Sequence, residues 1–569
     1  MSPEREEPEP LHPSDSPDRH GIPEDTGPAP APPRIAQAGL AAACLASIAL
    51  LWWLAAFVTD DALITLRYAR NLVEGHGIVW NPGEGPVEGY SNFLHLLIGA
   101  AAIAGDAPPL IVLRWLNRVA ALGLVFATWL WALRTCQKPA LAAGVALLLA
   151  LNAPLAFWAS SGLETALYTL SVTLGLYFAL AAPPHVRVWA AAPFLVAALT
   201  RAEGPIFPLT VAIVTAGAAV WRQGGLRPGL GDFLREHAAW LLLFGVPYCA
   251  YFAWRVGYFG YLLPNSVYIK AVTQDPGVVD AEFLAWNAPL LLLALAAPYR
   301  RLGAKAVVPL LLIGIHLAML YEVKVSVSYL ERFFLPVIPG AIVLAVASLD
   351  RIASRFGRPG GEATARRAGL AAAALGLAGL VGWSLFHPQI GVDAAHRKIA
   401  RLNHRMLNRV QVADWLSSRL EPDARITLPD VGTVAYLLPN PIDDAFGLNN
   451  VDYPHRFNHG RENYVMYLAT RRPDAIVVTT MQPDRFVMKY VTDAWLRKVV
   501  LDQRYPRRAR FLNPLDPYHY WVHVSATPQR LRPQRLPSLL PEPIDAQLFR
   551  VAELIEQTRR AIAARDRPR

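Results

Sequence analysis

Charge is scarce in this chain. Asp, Glu, Lys and Arg make up 17% of the 569 residues, against about a quarter in an ordinary soluble domain. Cysteine is scarcer still. Cys44, Cys136 and Cys249 are the only three, all in or beside apolar segments and none in the last third. That excludes a disulfide framework and a thiolate metal site. No internal repeat is visible, so the symmetry of many transporters is missing. A basic n-region before the first apolar run is also lacking, which argues against a cleaved leader. The net charge of +10 does not indicate a nucleic-acid partner. The arginines cluster in short loops between apolar runs, where they act as topology determinants in a bilayer.

Long apolar runs are what the chain has in abundance. Eleven are expected to cross the membrane, near 38–58, 110–134, 139–158, 162–181, 188–201, 204–221, 238–256, 282–298, 306–322, 333–349 and 367–386. Residues 1–34 hold ten prolines and eight acids with no apolar face, and read as a disordered cytoplasmic tail. With that tail inside, the inner loops carry 14 Lys and Arg and the outer loops six, as the positive-inside rule requires. This parity forbids Phe93–Gly105 from crossing. It is read as a juxtamembrane or re-entrant helix within one long outer loop, 59–109. Eleven spans place everything after Phe386 outside. The expected organisation is a helical polytopic module over 35–386 and an extracytoplasmic α/β domain over 387–569. In that domain RITLPD, PIDDAF and DAIVVTT read as strands, and 398–420 and 542–564 have helical periodicity.

One stretch stands apart, FVTDDALITLRYARNLVEGHGIVWNPGEGPVEGYSNFLHLL at 57–97. An apolar run stops at Asp60 and Asp61, a short amphipathic segment follows, and then a polar loop rich in Gly and Pro. Ionisable groups at a bilayer boundary are costly unless they line a wet cavity or a site. The bland alternative is that Thr59 or Asp60 caps a helix whose dipole favours acids in its first turn.

The segment DDALITLRYARNLVEGHGIVWNPGEGPVEGYSNFL resembles the first outer loop of polytopic GT-C glycosyltransferases, in particular the terminal arabinofuranosyltransferase group. Four further motifs resemble recurring elements of the same family: Ser161–Thr165 (SGLET), Thr200–Gly204 (TRAEG), Tyr258–Ser266 leading to Lys270, and Tyr329–Phe333 (YLERF). The resemblance implies a GT-C-like membrane fold and an inverting transfer of a sugar, arabinofuranose in this group. The donor would be a polyprenyl-phosphate sugar and the acceptor a cell-envelope glycan, at the outer face of a bacterial plasma membrane. Asp60 or Asp61 is then the general base, with the other orienting it or holding a divalent cation such as Mg, Ca or Mn. Arg201, Lys270 and Arg332 are the phosphate candidates, with Glu203, Glu331 and Glu164 beside them; the simpler role for each cation is a snorkelling anchor at a span end. Arg67, His76, Glu88, Tyr90 and Asn92 are the candidate substrate contacts of the first loop. Asp430–Gly432 and Asp443–Asn449 resemble segments after the spans, but Asn450 replaces the family's acid, and strand ends with an Asx turn are the simpler reading. His455 and His459 have i, i+4 spacing but lack a third ligand for zinc. The runner-up functions are hexose or aminoarabinose transfer to protein or lipid and, in another class, a lipid transporter or flippase.

Overall fold

The computed structural model describes residues 34–566 except 55–56, 137, 271–277, 324–328, 357–362, 451–460, 489, 515–516, 526–529 and 541–549. The chain opens with α1 (Arg34–Trp53), then α2 (Asp60–Val73) and α3 (Phe93–Ala104) in the first loop. The bundle continues through α4 (Pro109–Thr135), α5 (Pro139–Ala150), α6 (Ala153–Ser160), α7 (Thr165–Leu176), α8 (Ala191–Thr200), α9 (Ile206–Gln223) and α10 (Leu226–Phe259). It closes with α11 (Asn265–Lys270), α12 (Val278–Leu295), α13 (Tyr299–Leu302), α14 (Ala304–Val323), α15 (Ile338–Phe356) and α16 (Ala363–Phe386).

Among the described residues, seven helices are long and apolar enough to cross a membrane, or eight if the α5–α6 pair is one span. That pair bends by 52°, where Asn152 caps α6 by accepting from the Leu155 N–H at 2.8 Å and Pro154 cannot donate a helical bond. Eleven spans were expected. Helices also lie in the other three segments, as α7 with a π-turn to Ala181, α8 and α12. The apolar segment at 93–104 is a single twelve-residue helix, too short to cross.

After Phe386 the composition turns polar. A long helix, α17 (Val392–Ser417), leads into β1 (Ile426–Leu428), α18 (Val431–Leu437), β2 (Ile442–Asp444), α19 (Arg461–Thr470), β3 (Ala475–Thr480), α20 (Val491–Asp502), β4 (Arg507–Phe511), β5 (His519–Val524) and α21 (Val551–Arg565). The strands form one sheet in the order β2-β1-β3-β5-β4. β1 is parallel to β2 and β3, while β5 runs antiparallel to β3 and β4. The three expected strands are its parallel half. The β4–β5 hairpin was not foreseen, because Arg507–Phe511 is arginine-rich and mostly exposed and gives no apolar signal.

The two parts share one core. Ile426, Val434 and Leu438 belong to the same buried cluster as Leu63, Leu66 and Trp80. α2 packs along α18, and this contact positions the candidate site.

Candidate active site

The start of α2 is held from two sides. The Thr59 N–H donates to the Ser161 carbonyl at 3.0 Å. Beside it Gly162, at φ +88°, lies against Ala62, where a Cβ would be 3.2 Å from the alanine methyl. A left-handed backbone of this kind favours glycine. Adjacent residues on a helix diverge by about 100°, so Asp60 and Asp61 meet different surroundings.

Asp60 turns toward α18. Its carboxylate accepts from the Gly432 N–H at 3.0 Å, the Thr433 N–H at 2.8 Å and the Thr433 hydroxyl at 2.5 Å. Arg409 of α17 lies 3.7 Å from it. Burial raises the Asp60 carboxyl above the usual carboxylate range, the Arg409 charge opposes that, and Asp430 adds to it. Asp61 instead faces outward. Its side chain is 44% exposed, against 13% for Asp60, and Arg332 lies 3.3 Å from it.

Arg332 opens a chain of ion pairs that joins three of the motifs. Its second Nη lies 3.8 Å from Glu164. Glu164 pairs with Arg201 at 2.6 Å, and Arg201 pairs with Glu203. Asn92 donates to the other oxygen of Glu164 at 2.7 Å and accepts from Thr65 at 2.8 Å. Both guanidinium groups lie over the Phe333 ring, at 5.2 Å for Arg201 and 5.3 Å for Arg332. Arg332 also covers Trp158 at 5.2 Å. Acids and aromatic faces thus hold two arginines together in a desolvated site.

Glu331 is not part of this chain. Leu330 and Glu331 adopt φ of +49° and +57°, a conformation that is costly without glycine. The turn sends Glu331 away from Arg332 to Asn287 of α12, which donates to it. Burial raises this carboxyl to about 7, with the Asn287 hydrogen bond opposing.

Glu88 forms a second centre. Arg255 of α10 grips it bidentately, at 2.9 and 2.6 Å, and donates to the Leu262 carbonyl at 2.8 Å. Beside this pair a shallow, open cleft is lined by Glu88, Arg201, Arg255, Tyr248, Tyr251 and Phe252, among others. Arg255 was missed in the sequence. Its signal was there, a cation inside the expected span 238–256. Tyr90 packs edge-on to Tyr68 and Phe259. Lys270 ends α11, but its side chain lies outside the described residues. Asn265 bonds three carbonyls, of Gly447, Leu448 and Asn450, and so ties the motif before Lys270 to the C-terminal region.

Two candidate substrate contacts lie elsewhere. Arg67 is fully buried and donates to the carbonyls of Trp80, Ala435, Leu438 and Asn440 and to Asn81. The apolar, carbonyl-rich C-terminal end of α18 captured it, because a planar five-donor group suits several acceptors at once. His76 is exposed at the far end of α2 beside Glu74, 4.0 Å away. For the divalent-cation role of Asp60 and Asp61, Asp60 already accepts from three donors of residues 432–433, while Asp61 is half-exposed beside Arg332. Among the described residues no three His, Cys, Asp or Glu side chains could hold a metal. Asp444 accepts from the Phe446 and Asn449 N–H groups, the Asx-turn arrangement, while Asp443 pairs with Arg425 and Arg471. His455 and His459 lie outside the described residues.

Comparison with known proteins adds the fold family. A domain of unknown function, DUF8728, matches residues 397–525. No curated protein matches in sequence. Among solved structures, apo ArnT from Cupriavidus metallidurans is similar at 16% identity and TM-score 0.50, covering 87% of this chain and 100% of that one. The apo oligosaccharyltransferase of Archaeoglobus fulgidus is similar at 14% identity and TM-score 0.52, covering 92% and 77%. The archaeal oligosaccharyltransferase AglB from Archaeoglobus fulgidus, in complex with an inhibitory peptide and a dolichol-phosphate, is similar at 13% identity and TM-score 0.51, covering 92% and 77%. The chain is therefore a multi-pass membrane protein of GT-C-like fold, with a small sheet region at its C-terminal end.

Proposed function

We propose that the protein is an inverting glycosyltransferase that takes its sugar from a polyprenyl-phosphate donor, with Asp61 as general base. The observation that carries this reading is the difference between the two carboxylates. Asp60 is spent on hydrogen bonds to α18, whereas Asp61 stays half-exposed beside Arg332. A GT-C-like fold supports the enzyme class, and the archaeal relative bound to dolichol-phosphate supports the donor class.

In the reaction, the acceptor hydroxyl oxygen attacks the anomeric carbon. The bond from that carbon to the phosphate oxygen breaks, and its electron pair leaves with the phosphate. Asp61 takes the hydroxyl proton as it becomes acidic in an oxocarbenium-like transition state. Arg332 keeps Asp61 aligned. Arg201 and Arg255 face the cleft and supply positive charge to the departing phosphate, while Tyr248, Tyr251 and Phe252 give the prenyl chain an apolar wall. The resemblance of the first loop favours arabinofuranose as the sugar, a cell-envelope glycan as the acceptor and the outer face of a bacterial plasma membrane as the location.

Replacing Asp61 by Asn keeps size and removes the base. Transfer from a prenyl-phosphate arabinofuranose donor should fall about a hundredfold or more with unaltered expression. A D61N protein that keeps most of its transfer rate would end the assignment.

A further inference from the structure

The end of the bundle away from the candidate site carries cations that the proposed reaction does not use. Two spans fix its position. α4 begins beside the site, where Arg114 donates to the Ser160 carbonyl at 3.0 Å. It ends at Thr135, about 30 Å further along the helix axis. α14 runs the opposite way, from Ala304 at this end to Val323, before the turn Tyr329–Glu331. The two ends are tied together. Arg301 of α13 donates to the Thr135 carbonyl at 2.8 Å, next to Arg134 in the last turn of α4. Lys305 follows four residues after Arg301, in the first turn of α14. The charges that act on Lys305 are those of Arg134, Arg301 and Arg187, the last from the 3-10 turn Pro184–Ala190. All are of one sign. The neighbouring acids are engaged, Glu236 with Arg187 at 2.6 Å and Asp350 with Lys138 at 3.7 Å. Among the described residues Arg134 and Lys305 have neither a hydrogen-bond nor an ion-pair partner, and Arg187 keeps a buried Nε without one. Like charges repel, more strongly where packing excludes part of the water. Topology alone does not call for such crowding, because the positive-inside rule counts charges per loop and not their grouping across loops. Trp189, 62% exposed, stands on the same turn as Arg187, and Tyr299, 37% exposed, begins α13. Such side chains favour the headgroup level of a bilayer, where lipid phosphates lie.

We propose that Arg134, Arg187, Arg301 and Lys305 bind the phosphate of an anionic phospholipid in the leaflet opposite the candidate site. Arginine forks suit phosphate oxygens, and the lysine adds a point charge. Arg134 and Arg301 are exposed, while Lys305 is half-buried. Lys305 shares the buried stripe of α14 with Val308, Pro309 and Leu312, so the headgroup is drawn in against the bundle. Basic pockets between spanning helices hold anionic headgroups in this way. The bound phosphate offsets the repulsion and staples α4, α13, α14 and the 3-10 turn into one end. The site holds whichever carboxylate is the base.

The test uses the full-length protein in detergent, titrated with phosphatidylglycerol or phosphatidylcholine and followed by native mass spectrometry and thermal unfolding. Wild type should hold one phosphatidylglycerol per chain about tenfold or more tightly than phosphatidylcholine, and its melting temperature should rise as that lipid binds. Arg134→Gln with Lys305→Gln should abolish the preference. Arg351→Gln with Arg355→Gln removes the same charge from the exposed end of α15 and should leave the preference intact. Arg134→Lys with Lys305→Arg should retain it as well. If the first Gln pair fails to insert, the wild-type preference and the conservative pair still decide. Equal affinity of wild type for both lipids, or an equal loss in both Gln pairs, would overturn the proposal. So would displacement of the lipid by millimolar inorganic phosphate, which marks a site for a free anion. Selective binding that emerges only once residues 1–33 are removed would also overturn it, by giving the cations to the chain's own acids.

Discussion

Glu331 shows what a single side chain owes to its surroundings. Its motif neighbour Arg332 could have paired with it, but two left-handed residues turn it into an apolar space with one amide for company. Its carboxyl is raised from the ordinary value to about 7 by burial. The folded state therefore binds the proton more tightly than the unfolded chain does. This contribution to stability is complete at pH 4 and is lost as pH rises toward and through 7. Glu331→Gln should remove the slope and leave the protein more stable at pH 8, on the order of 2 kcal/mol; thermal unfolding in detergent between pH 4.5 and 8 would show it. Asp60 and Asp61 teach the same lesson. Their sequence context is shared, and which of the two is clasped by α18 depends on donors at residues 432 and 433.

At the scale of elements, the contact between α2 and α18 decides the geometry of the site. α18 has seven residues, too few to be stable alone. α2 places Asp60 on its N-terminal N–H groups, and Arg67 and Arg70 on carbonyls at its C-terminal end. Each charge complements the helix dipole it meets. The approach is close enough that a Cβ on Gly432 would sit 2.0 Å from the Asp60 carbonyl oxygen. Gly432→Ala should therefore displace α2 and lower kcat at least tenfold, although Gly432 touches no substrate in the proposed reaction. Arg67→Ala should cost about 3 kcal/mol or more, since several buried carbonyls lose their donor. Arg67→Lys should recover only part of this, because an ammonium lacks the planar fork. Melting temperatures and single-turnover rates of the three variants would check both statements.

For the whole molecule, the first loop and the C-terminal region act as one body. Glu84 and Asp443 each pair with both Arg425 and Arg471, and the Trp80 indole donates to the Ile442 carbonyl at 2.8 Å. Both must then lie on one side of the membrane, and we propose from the 14 to six charge asymmetry that it is the outer side. Single cysteines at Asp106 and at Asp484, two exposed positions, would test this in a chain whose Cys44, Cys136 and Cys249 are replaced by Ser. An impermeant maleimide should label both in intact cells. Labelling of only one would refute the shared side.

By itself the sequence determined the membrane class, the positions of the apolar helices and the parallel half of the sheet, because apolar periodicity and scarce charge act locally. It also carried the motifs that meet around Glu164, namely Asn92, Arg201 and Arg332. It could not distinguish Asp60 from Asp61, assign Arg67 to α18 rather than to substrate, or bring Arg255 to Glu88, 167 residues away. Tertiary structure decided those, because a buried charge takes whichever partner the packing brings within hydrogen-bond reach, and that partner can come from anywhere in the chain.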